Sequence, residues 1–131
     1  MEDDVKAIIL KSIEDYNYSE IILFGSRAKN KYSEDSDYDL LLIMNNPLSI
    51  LEMRKMQVEI RKKLALQGID ADVIVKSRKI IDEYKTKKGN IIYNALREGV
   101  TLWVMRNIET KEAIELMNKI ISVIKETMKI V

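Results

Sequence analysis

The sequence contains no cysteine and no histidine among its 131 residues. The absence of cysteine excludes disulfides, thiolate nucleophiles, iron–sulfur clusters and cysteine-ligated zinc. The absence of histidine excludes Ser-His-Asp triads, histidine-ligated zinc and imidazole acid–base pairs. An enzyme built from this chain would therefore use carboxylates, hydroxyls, lysine, arginine, main-chain N–H groups or a hard metal ion that prefers oxygen ligands, as Mg²⁺ does.

Charge of one sign and long apolar runs are also missing. The net charge is +1, from 22 basic and 21 acidic residues, so the balance does not favour nucleic acid or an anionic membrane as a partner. No apolar run approaches the roughly 20 residues of a membrane span. The first residues, Met-Glu-Asp-Asp, are acidic where a signal peptide is basic and then apolar. We expect a soluble, cytoplasmic protein.

Only four glycines and one proline are present, which predicts regular elements joined by short connections. Apolar runs predict strands at 21–24, 40–44, 70–75 and 100–105. Helical spacing and capping residues predict helices over 5–16, 49–66, 77–84 and 90–98. Trp103, in the last apolar run, is expected in the core. This order of elements predicts an α/β (α+β) domain with a small mixed β-sheet and flanking helices.

A further helix is predicted over 110–130, where Thr110 can act as its cap. Its apolar stripe is wider than one buried face requires. We therefore expect a domain over 1–106 and a C-terminal amphipathic helix within 107–131. This helix either packs on the domain or forms an interface with a partner or with a second copy of the chain.

Asp37 and Asp39 come directly before an apolar run. Residues i and i+2 of a strand point to the same face, about 6.6 Å apart along the chain. Paired carboxylates beside a buried run are costly unless a cation lies between them. The pair is therefore a candidate metal site, and the alternative is two solvated residues at the end of a loop.

Two further features lie at the ends of predicted strands. Gly25 allows a tight turn and close approach of a ligand, and the N–H groups after Ser26 would bind an anion if a helical turn begins there. The alternative is an ordinary turn with Ser26 as N-cap. Asp72 lies between apolar neighbours and would join the carboxylates if its strand lies beside that of Asp39; Asp70, of the same parity, is the competing candidate.

Taken together, the Gly-Ser turn, the Asp-x-Asp pair ten residues later and the later strand Asp resemble the nucleotidyltransferase superfamily that includes DNA polymerase β. The sequence is most similar to its minimal nucleotidyltransferase (MNT) branch. The similarity runs over 21–75, with weaker support over 90–103, and implies a polymerase β palm-like fold for 1–106. One departure is Lys29-Asn30, where the family often has Arg-Gly. Lysine keeps the charge, and Asn30 tolerates the left-handed conformation that glycine would adopt.

The resemblance implies that a nucleoside triphosphate loses pyrophosphate while its nucleotidyl group moves to an acceptor hydroxyl. It implies that Asp37 and Asp39 hold two Mg²⁺ ions. It also implies that Asp72 completes the metal site near the acceptor and helps to deprotonate the acceptor hydroxyl. Such a reaction runs on positioning and electrostatics, which require no histidine.

The resemblance also assigns the nucleotide contacts. Gly25 and Ser26 would bind the β- and γ-phosphates through N–H groups and the serine hydroxyl. Arg27 and Lys29 either offset phosphate charge or are solvated. MNT proteins of this length resemble antitoxins that use ATP to place AMP on a tyrosine of a HEPN-type ribonuclease toxin. The alternatives are transfer to a small hydroxylated molecule and an antitoxin that acts by binding alone.

Overall fold

The computed structural model describes residues 1–105 and 111–129, with side chains of the last helix described from 115 onward. These residues form ten elements in chain order. The elements are α1 (Asp3–Ser12), β1 (Tyr18–Phe24), α2 (Gly25–Ala28), β2 (Tyr38–Met44), α3 (Ile50–Leu66), β3 (Ala71–Ser77), α4 (Arg78–Tyr84), α5 (Ile91–Glu98), β4 (Val100–Val104) and α6 (Lys111–Lys129).

The four strands form one mixed sheet in the order β3-β2-β1-β4. β1 runs antiparallel to both β2 and β4, whereas β2 and β3 are parallel. Parallel neighbours need a crossover connection, and α3 supplies it between β2 and β3. The predicted fold class, a small mixed sheet with flanking helices, is confirmed.

The sheet has a hydrophobic core on each face, and β2 contributes to both. Alternate side chains of β2 enter a cluster with residues of α1 and α3, namely Leu40, Leu42 and Met44. The intervening side chains, Leu41 and Ile43, enter a second cluster with residues of α4 and α5. Burial on both faces explains why β2 is a continuous apolar run rather than an alternating one.

The predicted starts of the helices at 49 and 90 agree with the structure to within one residue, and local hydrogen bonds stabilise both starts. The Ser49 side chain accepts a hydrogen bond from the Glu52 N–H (3.1 Å) at the start of α3. Asn90 accepts one from the Ile92 N–H (2.9 Å) at the start of α5. Gly68, just after α3, has a φ of +76°. These positions depend only on residues a few places away in the chain, so sequence patterns identify them.

Two expectations near β4 and β1 are wrong. Trp103 is 41% exposed rather than buried, because β4 lies at the edge of the sheet and only Leu102 of this strand is buried. The Trp103 ring instead lies edge-on to Tyr18, with centroids 5.1 Å apart. β1 begins at Tyr18, three residues before the predicted start, because polar Ser19 and Glu20 conceal the pairing of the strand.

The predicted C-terminal helix is present as α6, and its described side chains are exposed. Seven large apolar residues of α6 are 47–73% exposed, namely Leu116, Met117, Ile120, Ile121, Val123, Ile124 and Met128. The predicted cap, Thr110, lies outside the described residues. None of the helices in the described ranges is both long and apolar enough to cross a membrane.

Candidate active site

Three strands meet where the predicted site residues lie. Phe24, at the end of β1, pairs with Asp39 near the start of β2, and Asp39 pairs with Asp72 of β3. Because β1 is antiparallel to β2 and β2 is parallel to β3, the end of one strand and the starts of two others share one edge region. The Gly25–Ser26 turn and two of the three predicted carboxylates are therefore brought together by strand pairing.

The carboxylates of Asp37 and Asp72 act on that of Asp39. Burial raises the pKa of Asp39 above its ordinary value, and the negative charges of Asp72 and Asp37 raise it further. Asp39 has the same strand parity as Leu41 and so points to the α4–α5 face of the sheet. Asp72, opposite Asp39 in the register, supplies this charge, so its strand is the neighbour that the sequence analysis required.

The donor set suits a hard divalent cation. Carboxylate oxygens are the ligands that Mg²⁺ prefers, and Asp39 is partly buried beside the negative charges of Asp72 and Asp37. Within residues 1–105 and 111–129, no three acidic side chains converge tightly enough to form a finished cation cage. Asp37 and Asp72 are exposed, so their carboxylates are accessible to a cation from solvent.

Two cations near the carboxylates were missed by the sequence analysis. The Arg61 Nη1 lies 4.0 Å from the Asp72 Oδ1, a weak pair because both side chains are more than half exposed. Arg61 and Lys62 line a cleft of about 310 Å³ that also includes Asp37 and Asp70. The sequence places these cations on a long polar helix, and only the packing of α3 beside β3 reveals their position.

Gly25 is required by its neighbour Asp39. Its φ is +73°, and a Cβ atom at this position would overlap the Asp39 carboxylate oxygen and lie 3.1 Å from Cγ. The sequence analysis expected close approach of a ligand here, and the structure shows close approach of Asp39. Further along the turn, Asn30 has a φ of +55°, which confirms the expected left-handed conformation.

The other predicted nucleotide contacts have partners within the protein. Ser26 is half-buried, and its carbonyl accepts from the Lys29 N–H (3.2 Å) and the Lys31 N–H (3.1 Å). The Lys29 Nζ lies 2.6 Å from the Glu98 carboxylate and lowers the pKa of Glu98. Arg27 donates to main-chain carbonyls of the following loop. Contact of these residues with phosphate stays a prediction.

Comparison with known proteins shows which family this chain is similar to. Residues 7–108 match the family model described as polymerase beta, nucleotidyltransferase. A protein of Methanocaldococcus jannaschii named as a candidate protein adenylyltransferase is 35% identical over 65 residues, which are 49% of this chain and 62% of that protein. The match thus spans less than two thirds of this relative's length.

Two solved structures share the fold. One chain of a toxin–antitoxin complex with AMP-PNP aligns over 95% of this chain and 94% of its own length, at a TM-score of 0.55 and 16% identity. One chain of the complex of tri-AMPylated Shewanella oneidensis HEPN toxin with MNT antitoxin aligns over 98% and 99%, at a TM-score of 0.51 and 15% identity. At such low identity these likenesses show the fold alone.

Substitution of Gly25 tests the contact with Asp39. Gly68→Ala, at a similar φ but with no atom near the added Cβ, should lower the free energy of unfolding by about 1 kcal/mol through backbone strain. Gly25→Ala should lower the free energy of unfolding by at least about 1 kcal/mol more than Gly68→Ala does, since Asp39 must move as well. Urea denaturation measures both, and a double-mutant cycle with Asp39→Gly should remove the excess. Equal losses in the two alanine variants would contradict the contact.

Removal of the Asp39 charge should stabilise the protein without added divalent cations. Because the folded-state pKa is raised above 3.8, the stabilising contribution of this carboxyl is complete below pH 3.8 and is lost as pH rises through the folded pKa. At pH 7, Asp39→Asn should therefore raise the free energy of unfolding, by up to about 1 kcal/mol for a partly solvated group. The gain should shrink towards pH 3.8, and the exposed Asp35→Asn serves as control. An Asp39→Asn variant less stable than wild type at pH 7 would refute the repulsion.

Proposed function

The chain belongs to the polymerase beta nucleotidyltransferase family, and on this premise we propose that it transfers AMP from ATP to an acceptor hydroxyl and releases pyrophosphate. The observation that carries the proposal is the strand register that sets Asp39 between Gly25 and Asp72. This arrangement puts a glycine turn with main-chain N–H groups beside carboxylates whose charges repel one another. Binding of a triphosphate together with divalent cations would give the N–H groups an anionic acceptor and would offset the charges of the carboxylates.

The proposed roles follow from these positions. Asp37 and Asp39 would hold Mg²⁺, which, when bound, offsets the charge of the triphosphate and of the leaving pyrophosphate. A carboxylate oxygen of Asp72 accepts the proton of the acceptor hydroxyl. The acceptor oxygen then forms a bond to the α-phosphorus while the bond to the β-phosphate oxygen breaks. The Gly25 and Ser26 N–H groups and the Ser26 hydroxyl hold the β- and γ-phosphates in line for this displacement.

For the acceptor, we propose a tyrosine of a HEPN-type toxin, which would make this chain an antitoxin. The support is one structural neighbour, from a complex of AMPylated HEPN toxin with MNT antitoxin, and the adenylyltransferase name of the Methanocaldococcus jannaschii relative. The exposure of Asp72 agrees with an acceptor as large as a protein side chain. Residues 1–106 would form the catalytic domain.

The helix within 107–131 is proposed as the surface that binds this partner. Seven exposed large apolar side chains on one helix form a patch of the kind that soluble proteins cover with another chain. Methionines, here Met117 and Met128, are common at such surfaces because their side chains adapt to irregular contacts. The other face of α6 carries polar residues such as Glu115, Lys119 and Ser122.

Loss of the carboxylates should abolish AMP transfer. Asp37→Ala and Asp39→Ala should each reduce the rate at least about 100-fold, because each removes a charge that the reaction needs at a fixed position. The measurement is magnesium-dependent transfer of label from α-labelled ATP to a co-purified HEPN toxin. Asp35→Ala, an exposed carboxylate in the same loop, should keep the wild-type rate.

Full activity in either carboxylate variant would refute the assignment of that residue. Neutralisation of the toxin by the wild-type chain with no label transferred would instead favour an antitoxin that acts by binding alone. Label found on a small hydroxylated molecule rather than on the toxin would identify a different acceptor. Asp70→Ala and Asp72→Ala, compared in the same assay, would separate the two candidates for the third carboxylate.

Disruption of the apolar face of α6 should abolish partner binding and leave the domain folded. Deletion of the residues after Asn107, or the paired change Ile120→Asp and Ile124→Asp, removes apolar area that the complex would bury. The affinity for the toxin should fall at least about 100-fold, since each of these changes removes several kcal/mol of binding free energy that comes from apolar burial. Ser122→Asp, on the polar face, is the control. A deletion variant that still forms the full complex, measured by calorimetry, would disprove this role.

A further inference from the structure

Arg27 lies on the face of the sheet opposite to that of Asp39. Its guanidinium carbon is 4.0 Å from the centroid of the Tyr38 ring. Tyr38 and Asp39 are consecutive in β2, so their side chains point to opposite faces, and Tyr38 packs with the α1–α3 core. The cavity of about 310 Å³ that Arg27 lines also contains Glu2 and Glu34. Two carboxylate side chains therefore share the lining of this cavity with the Arg27 guanidinium.

The guanidinium is bound to the loop that leads to Asp37. The Arg27 Nε donates to the Ser36 carbonyl (2.8 Å), and Nη2 donates to the Glu34 carbonyl (3.2 Å). The same group lies 4.7 Å from the centroid of the Tyr32 ring. A planar guanidinium with a fixed fork of donors can hold two carbonyls and contact aromatic rings at once. One side chain from α2 therefore fixes several points of the loop over 29–37.

Asp37 is held on both sides by these contacts. Its preceding neighbour, Ser36, is fixed through the carbonyl that Arg27 binds. Its following neighbour, Tyr38, donates its N–H to the Asp70 carbonyl (2.9 Å). Within the loop, Ser33 and Ser36 also exchange hydrogen bonds, from the Ser36 N–H to the Ser33 carbonyl and from the Ser33 N–H to the Ser36 hydroxyl, both 3.1 Å. Asp37 itself is exposed, so its position depends on these neighbours.

We infer that Arg27 is a positioning residue, which holds the loop over 29–37 in the conformation that presents Asp37 beside Asp39. This role rests on the proposed function, in which Asp37 takes part in nucleotidyl transfer. In this role Arg27 neither contacts phosphate nor is merely solvated, the two alternatives that the sequence left open. A lysine at this position keeps the charge but has no planar fork, so it cannot bind both carbonyls in the same way.

Amide hydrogen exchange of the full chain tests the structural part without nucleotide. The variants are Arg27→Lys, Arg27→Gln and, as control, Lys31→Gln, which removes a positive charge from the same loop. The Ser36 and Tyr38 amides are hydrogen bonded, and both should exchange at least about tenfold faster in the two Arg27 variants than in the control. Unchanged protection in Arg27→Gln would overturn the inference.

Steady-state kinetics test the functional part. Both Arg27 variants should lower kcat between about 10-fold and 100-fold, a larger change than that in the KM for ATP, because a displaced Asp37 no longer holds its charge where the reaction needs it. A near-wild-type Arg27→Lys combined with a raised KM in Arg27→Gln would overturn the inference in favour of a phosphate contact. If the wild-type chain transfers no AMP, the proposed function fails, and hydrogen exchange alone still decides whether Arg27 holds the loop.

Discussion

The register of β2 against its two neighbours determines where the carboxylates of the site lie. A shift of one residue would turn Asp39 away from Gly25 and place it on a different face from Asp72. Leu40 and Leu42 enter one core and Leu41 and Ile43 enter the other, so the packing of β2 on both faces accompanies this register. Asp39 continues the alternation of β2 by one residue beyond the apolar run.

This packing supports a local arrangement that is unfavourable by itself. Asp39 is partly buried among like charges, and its raised pKa measures how poorly the free protein tolerates the ionised form. Functional sites commonly retain such local instability because the ligand relieves it. Gly25 contributes to the same arrangement, since a side chain there would push the Asp39 carboxylate out of place.

Local sequence was sufficient for features that depend on near neighbours. Ser49 and Asn90 as caps, Gly68 in a left-handed conformation and the apolar strand of residues 40–44 all follow from short-range rules. The Asp-x-Asp pair was also identifiable from its position before the apolar run, although only Asp39 lies within β2 and Asp37 ends the preceding loop.

Features that depend on distant parts of the chain were not predictable in this way. The exposure of Trp103 follows from the position of β4 at the sheet edge, which no local pattern encodes. Arg61 comes near Asp72 only through the packing of α3 beside β3. The contact of Arg27 with the Tyr38 ring depends on the packing of α2 beside β2, which the sequence did not reveal. The pairing of Asp72, rather than Asp70, with Asp39 likewise follows only from the register of β3.

The outer position of β3 in the described sheet has a consequence for access. Further along this strand, the Gln57 side chain accepts the Val75 N–H (3.0 Å), so α3 occupies a main-chain donor that another strand could otherwise bind. Asp72, near the start of the same strand, remains exposed. The rim of the sheet is thus closed to strand addition at Val75 and open to solvent at Asp72. Solvent therefore reaches the Asp72 carboxylate from the side of the sheet, without any strand having to move.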